Sequence, residues 1–352
     1  MQHEHLLHTQ ILNAERCEQS MLTNIDITNI NISQNVAHIA QSNTHIVVGI
    51  SSPGHVCVSN DDGATWERCL YDAYVGYGVS ALKALSTGTF VLGAKGSLAK
   101  LWRSTDGGYT WIANYASRKM WDDVPISIVQ LADGSVVCSM SPSGKICRSI
   151  DDGETWNMIY QFKHEMGKLI HTTENTMIID TVYRGDPNRF YISYDGGYTW
   201  TSLKWTLLDK DLANDIFDLF HIPDTDVILA VSPRRHEVYR GSEYGAVWGE
   251  PTNLVSGYMC TFAYMSSIAF LSTGVGTIRH SFDHGVSWYP TMKIPPGMNV
   301  TSMCGTNGGH HLLVGAGPAA RCETHIFRIM FCGYCGKCAL CGNFIRWIMG
   351  LL

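Results

Sequence analysis

The chain has 352 residues, 16% of them charged and 45% hydrophobic, and its 25 Lys and Arg against 31 Asp and Glu give a formal net charge of −6. That balance leaves no basic footprint for nucleic acid, and no run of 18 apolar residues is present to cross a membrane as a helix. Its 34 glycines and 10 tryptophans are largely accounted for by one recurring turn and the hairpins around it.

Residues 1–23 lack the basic start, apolar centre and small-residue cleavage site of a secretory signal. The chain is therefore expected to be made in the cytoplasm, with any exposed role following release. Leu6, Leu7, Ile11, Leu12, Met21 and Leu22 stand among polar neighbours, a pattern open to either a loose tail or a short amphipathic docking helix. Residues 25–32 then alternate apolar and polar side chains, as a half-buried strand does.

From residue 36 a four-strand unit recurs. The first copy reads as strands at 36–41, 45–51, 55–59 and 66–70, and the third as 126–131, 135–141, 145–150 and 156–161. Later units begin near Val79, Leu169, Phe217 and Thr261. Between strands three and four stands a Ser-x-Asp-x-Gly-x-Thr/Ser-Trp turn, centred on Asp61, Asp106, Asp151, Asp195 and Asp283, with the first four copies 44 or 45 residues apart. A worn copy, Gly241 to Trp248, fills the one gap. Asp and Ser bond local backbone donors, Gly supplies the positive φ, and the closing indole covers the turn. These carboxylates read as structural.

A period in the forties with four short strands per unit describes a β-propeller, whose blades bury their faces only by stacking on one another. Six units are complete. A seventh, at 301–306, 311–317 and 325–331, lacks the turn and the fourth strand, and residues 25–32 are available to supply it and to join the two ends of the chain. The expected fold is all-β: a seven-bladed propeller of four-stranded antiparallel blades spanning 24–331, closed by an N-terminal strand, with a six-bladed ring as the alternative.

After the ring, residues 332–352 form a Cys-rich apolar tail. Cys332, Cys335, Cys338 and Cys341 keep an unbroken spacing of three, a thiolate set open to zinc, to an iron–sulfur cluster or to disulfides. Residues 344–352 are apolar but too short to span a bilayer; they either pack back on the propeller or anchor a neighbouring structural subunit. Cys57, Cys138, Cys147, Cys260 and Cys304 fall on strands, where free thiols pack as small hydrophobes.

A ligand is expected at the end of the ring away from the repeat turns. The blade-to-blade segments there carry Tyr74, Tyr77, Tyr115, Arg118, Trp121, Asp122, Asp123 and Trp205. Aromatic faces beside carboxylates and a cation suit a sugar, whose C–H faces stack while its hydroxyls take polar partners. Arg184-Gly185-Asp186 matches an integrin-type triplet, but with Pro187 and Asn188 it reads as a tight turn.

The turns resemble those of the Asp-box, or bacterial neuraminidase repeat, superfamily, over residues 35–331. That superfamily includes sialidases, xyloglucanases, the sortilin ectodomain, photosystem assembly propellers and phage-tail or virion proteins. A sialidase needs an Arg triad and an early Phe-Arg-Ile-Pro motif. Here Arg68 is the only Arg between Arg16 and Arg103, and Phe327-Arg328-Ile329 comes late and is followed by Met. The resemblance therefore implies the scaffold without the sialidase catalytic set. The expected function is a non-enzymatic binding or structural propeller, similar to phage-tail or virion proteins, recognising a cell-surface glycan or protein receptor or mediating assembly. A glycoside hydrolase and an intracellular assembly scaffold are the alternatives.

Overall fold

β-Branched runs punctuated by Gly, Asp and Asn turns fold into 29 strands among the described residues of the computed structural model. Those residues are 22–25, 36–50, 55–71, 78–96, 101–114, 123–181, 190–203, 218–232, 235–254, 261–273, 276–295, 298–306, 311–318 and 325–330. The strands make seven antiparallel sheets. Blades 1 to 6 occupy residues 36–71, 79–114, 124–161, 166–203, 218–253 and 262–293, each with its strands in sequence order. Among the described residues no helix is long and apolar enough to cross a membrane.

Blade 7 joins both ends of the ring. Strands Met298–Gly305, His311–Pro318 and His325–Met330 are completed by Leu22–Ile25, which pairs antiparallel with the last of them from Leu22 opposite Ile329 to Ile25 opposite Ile326. The closing strand is thus Leu22–Ile25 rather than residues 25–32, and residues 26–35 lie outside the described residues. Both stretches mix apolar and polar residues, so pattern alone did not distinguish them; the pairing with Ile326–Ile329 sets the register.

No blade has a core of its own. Seven apolar clusters lie between seven pairs of neighbours: Val36, Ile46 and Val48 of blade 1, for instance, pack against Leu313 and Ile326 of blade 7. Val137 and Ile146 of blade 3 meet Met177 and Ile179 of blade 4. Apolar burial at about 25 cal/mol per Å² is therefore gained only when two blades meet. Strands one and two slip register in blades 1, 2, 3, 4 and 7, and such bulges increase the twist that lets flat sheets radiate from an axis.

Blade 5 departs from the others. Its outer strand is broken into Val247–Trp248 and Thr252–Asn253, both paired with Glu237–Ser242. Between them stand Gly249, Glu250 and Pro251, and a proline has no N–H to give the ladder.

Candidate functional site

Strand three of each of blades 1 to 6 runs into the repeat turn, so all of these turns share one end of the ring. In blade 1 the Ser59 hydroxyl donates to Asp61 Oδ1 (2.8 Å) and accepts the Gly63 amide (2.8 Å). Asp61 in turn accepts the Thr65 amide (2.8 Å) and hydroxyl (2.5 Å), while the Trp66 indole donates to the Gly63 carbonyl (3.1 Å). The same bonds surround Asp106, Asp151 and Asp195, and the Ser, Gly and Ser287 bonds recur around Asp283.

Partial burial pushes each of these five carboxylates up, but the hydroxyl and amide donors outweigh it and hold all five below the usual carboxylate value. A depressed folded value means the stabilisation is complete above the unfolded value of about 4 and is lost as pH falls through the folded one. The melting temperature is expected to be flat from pH 7 to about 5 and to fall below about pH 4. Acid melts of the protein beside its Thr110→Val variant check this; a melting temperature constant down to about pH 2 would show that the turns do not depend on these anions.

In blade 5 the Ser position is Gly241, and a Cβ there would lie 3.0 Å from the Trp248 ring. The indole has moved into the space of the missing side chain, is 1% exposed, and still donates to the Gly245 carbonyl (2.7 Å). Asp226, from the neighbouring hairpin turn, accepts the Glu243 amide (2.7 Å).

Arginines then tie one blade to the next. Arg103, Arg148 and Arg240, on the third strands of blades 2, 3 and 5, donate to the carbonyls of Asp152, Gly196 and His284 in the following blade's turn. Arg328 of blade 7 does the same across the ring closure, donating to Asp62 Oδ2 (3.1 Å), which also lies 2.6 Å from His311 Nδ1. These contacts link residues 44 to 49 apart in blades 2 to 6.

At the opposite end lie the junctions from strand four to the next blade. Of the sequence candidates there, Asp123 is among the described residues; Tyr74, Tyr77, Tyr115, Arg118, Trp121, Asp122 and Trp205 lie outside them, as do Cys332, Cys335, Cys338 and Cys341. Asp123 is 1% exposed. Its carboxylate accepts Lys145 Nζ (2.6 Å), the Ser143 hydroxyl (2.7 Å) and the Ser143 amide (3.0 Å). Burial raises its pKa, and these donors reverse the shift to below the usual value. Asp123 is thus an ionised brace between the end of segment 115–122 and the hairpin turn of blade 3. Beside it, the Ser141 hydroxyl bonds Glu165, and Asp180 is buried on blade 4.

The innermost strands carry groups that sequence reasoning did not single out. His38 is held neutral, at about 4, because burial outweighs its bond to the Ser80 backbone. Lys168 pairs with Asp218, and Lys83, lowered by burial, lies near the Cys304 thiol, which is pushed up to about 11. Their polar types on otherwise apolar first strands were the available signal. Cys57, Cys138 and Cys147 are buried free thiols and Cys304 is a half-buried one, while Cys260 lies outside the described residues.

One open cleft of about 370 Å³ lies at the repeat-turn end of blade 1, lined by Gln41, Asn43, Thr44, Ile46, Asn60 and Asp62. Its clustered amides were a legible signal. Its carboxylate, Asp62, is already committed to Arg328 and His311, so the cleft serves the closure of the ring before it serves a ligand.

No family model matches the chain, and no curated relative does. Solved structures do. YCF48 from Cyanidioschyzon merolae superposes with a TM-score of 0.65 at 15% identity, covering 88% of this chain and 98% of that one. YCF48 bound to D1 peptide gives 0.66 at 14%, covering 88% and 94%. Virginiamycin B lyase from Staphylococcus aureus gives 0.64 at 15%, covering 88% and 99%. At such identities the likeness establishes a shared seven-bladed propeller fold, on which function varies with the site.

Proposed function

We propose that this protein is a non-enzymatic binding propeller, a component of a virion or phage tail, that takes a cell-surface glycan at the end of the ring opposite the repeat turns. The observation that carries the reading is the Asp123 brace. A buried carboxylate with three donors fixes the foot of the segment bearing Tyr115, Arg118, Trp121 and Asp122, and a fixed foot lowers the ordering cost of binding. Aromatic side chains with a cation and a carboxylate in one segment match the stacking and hydroxyl contacts that sugars require.

A second reading, a peptide ligand on the same surface, is favoured by one observation: a propeller of like fold has been solved with a bound D1 peptide.

The test is a glycan array followed by titration of the best ligand with the protein and its Trp121→Ala and Tyr115→Ala variants. Each variant is expected to bind at least about tenfold more weakly, as loss of one stacked ring of about 1.5 kcal/mol implies, while Tyr194→Ala at the other end leaves affinity unchanged. Release of reducing ends would overturn the reading in favour of a hydrolase. Absence of glycan binding, with capture of peptides from a display library, would move it to the second reading.

A further inference from the structure

Every exposed large apolar side chain among the described residues lies in a repeat turn or within two residues of one, and they are most concentrated on blade 6. There Phe282, Val286 and Tyr289 are 46, 60 and 52% exposed. The patch is held in place: His280 packs edge-on against Phe282 at 4.8 Å and beside Tyr289 at 5.8 Å, and its Nδ1 lies 2.7 Å from the Thr291 hydroxyl. Fixed aromatic groups open to water at one end of the ring mark an interaction surface.

The chain itself delivers an occupant to that surface. Blade 7 has no repeat turn, and its strand His325–Met330 ends where the turns lie, as the bonds from Arg328 to Asp62 of blade 1 fix. The blade 1 flank of this exit is polar, with Asn60 and Asp62, while the blade 6 flank carries Phe282 and Val286. Beyond Met330 come 13 residues and then Phe344-Ile-Arg-Trp-Ile-Met-Gly-Leu-Leu352. Thirteen residues reach about 40 Å when extended, several times the roughly 10 Å between stacked sheets. Residues 331–352 carry Lys337 and Arg346 and no acid, whereas the rim displays ionised Asp283 beside Phe282.

We propose that residues 344–352 of the same chain lie along the repeat-turn rim of blade 6, with their apolar side chains on Phe282 and Val286 and Arg346 toward Asp283. The segment then covers the patch that would otherwise bring two copies together.

The test uses the full chain with Phe282→p-benzoylphenylalanine, irradiated and mapped by mass spectrometry. The expected adduct joins position 282 to a peptide within 344–352 of the same chain, at monomer mass and independent of dilution, and Tyr194→p-benzoylphenylalanine on blade 4 gives none. Adducts between two chains, adducts elsewhere or no adduct at position 282 would overturn the proposal. As a second readout, the double variant Phe282→Glu and Val286→Glu is expected to speed tryptic cleavage after Lys337 and Arg346 at least tenfold. An unchanged rate would count against docking at this rim.

Discussion

A chain lacking residues 1–25 is expected to melt about 5–8 °C below the full-length protein and to self-associate. Leu22–Ile25 is the outer strand of blade 7, paired at four positions with Ile326 to Ile329. At roughly 1 kcal/mol per ladder hydrogen bond, its loss costs about 3 kcal/mol, and a domain of this size loses about 2 °C per kcal/mol. The deletion also leaves the backbone of His325–Met330 unpaired along one edge, the arrangement that invites another chain to add a strand. Calorimetry and sedimentation check both effects. Unchanged melting with a monomeric particle would rule out closure through this strand.

Gly108→Ala is expected to destabilise the protein by about 3–4 kcal/mol, and Gly88→Ala by only about 1 kcal/mol. Both glycines have positive φ, +101° and +89°, so both substitutions incur backbone strain. They differ in what a methyl group would meet. At Gly88 nothing lies within 4 Å, whereas at Gly108, in the turn of blade 2, it would lie 2.6 Å from Val47 Cγ2 and 3.0 Å from Val58 Cγ2 of blade 1. The difference between the two variants therefore isolates the contact between blades. Urea unfolding measures it, and Val47→Ala in the Gly108→Ala background should recover part of the loss. Equal costs at the two glycines would show that the turn does not press on its neighbour.

The scaffold was legible because its turn residues recur at positions fixed by local chemistry. Ser, Asp, Gly and Thr bond within one octapeptide, so a period read from sequence marks blades 1 to 6 directly and leaves the seventh to be inferred from its strands. The partners between blades were hidden: Arg103 reaches Asp152 only because the ring sets the third strand of one blade beside the next blade's turn, a relation no local pattern encodes. The closing strand was misplaced for a related reason, since alternation marks a strand but the edge that accepts it decides which residues pair. Of the ligand candidates, Asp123 shows why composition is a partial guide. A carboxylate next to aromatic residues reads as a sugar contact, yet Ser143 and Lys145, 20 and 22 residues away, claim its oxygens.

The indole of each repeat turn packs into the cluster shared with the preceding blade, as Trp156 does with Val91 and Leu101 of blade 2. That gives the ring a sense of direction during synthesis. A blade leaving the ribosome finds its predecessor already made and can pack on it at once, so blades 2 to 6 accrue in order. Leu22–Ile25, and the face of blade 1 that packs on Leu313 and Ile326, must wait for partners made near the end of the ring, roughly 15–60 s at ordinary elongation rates. For that interval the nascent protein is an open arc with two unsatisfied ends. Slowing translation should therefore raise aggregation of this chain, whereas a circular permutant that begins at blade 1 and carries the closing strand after Met330 spares that strand the wait and leaves only blade 1 to wait for blade 7.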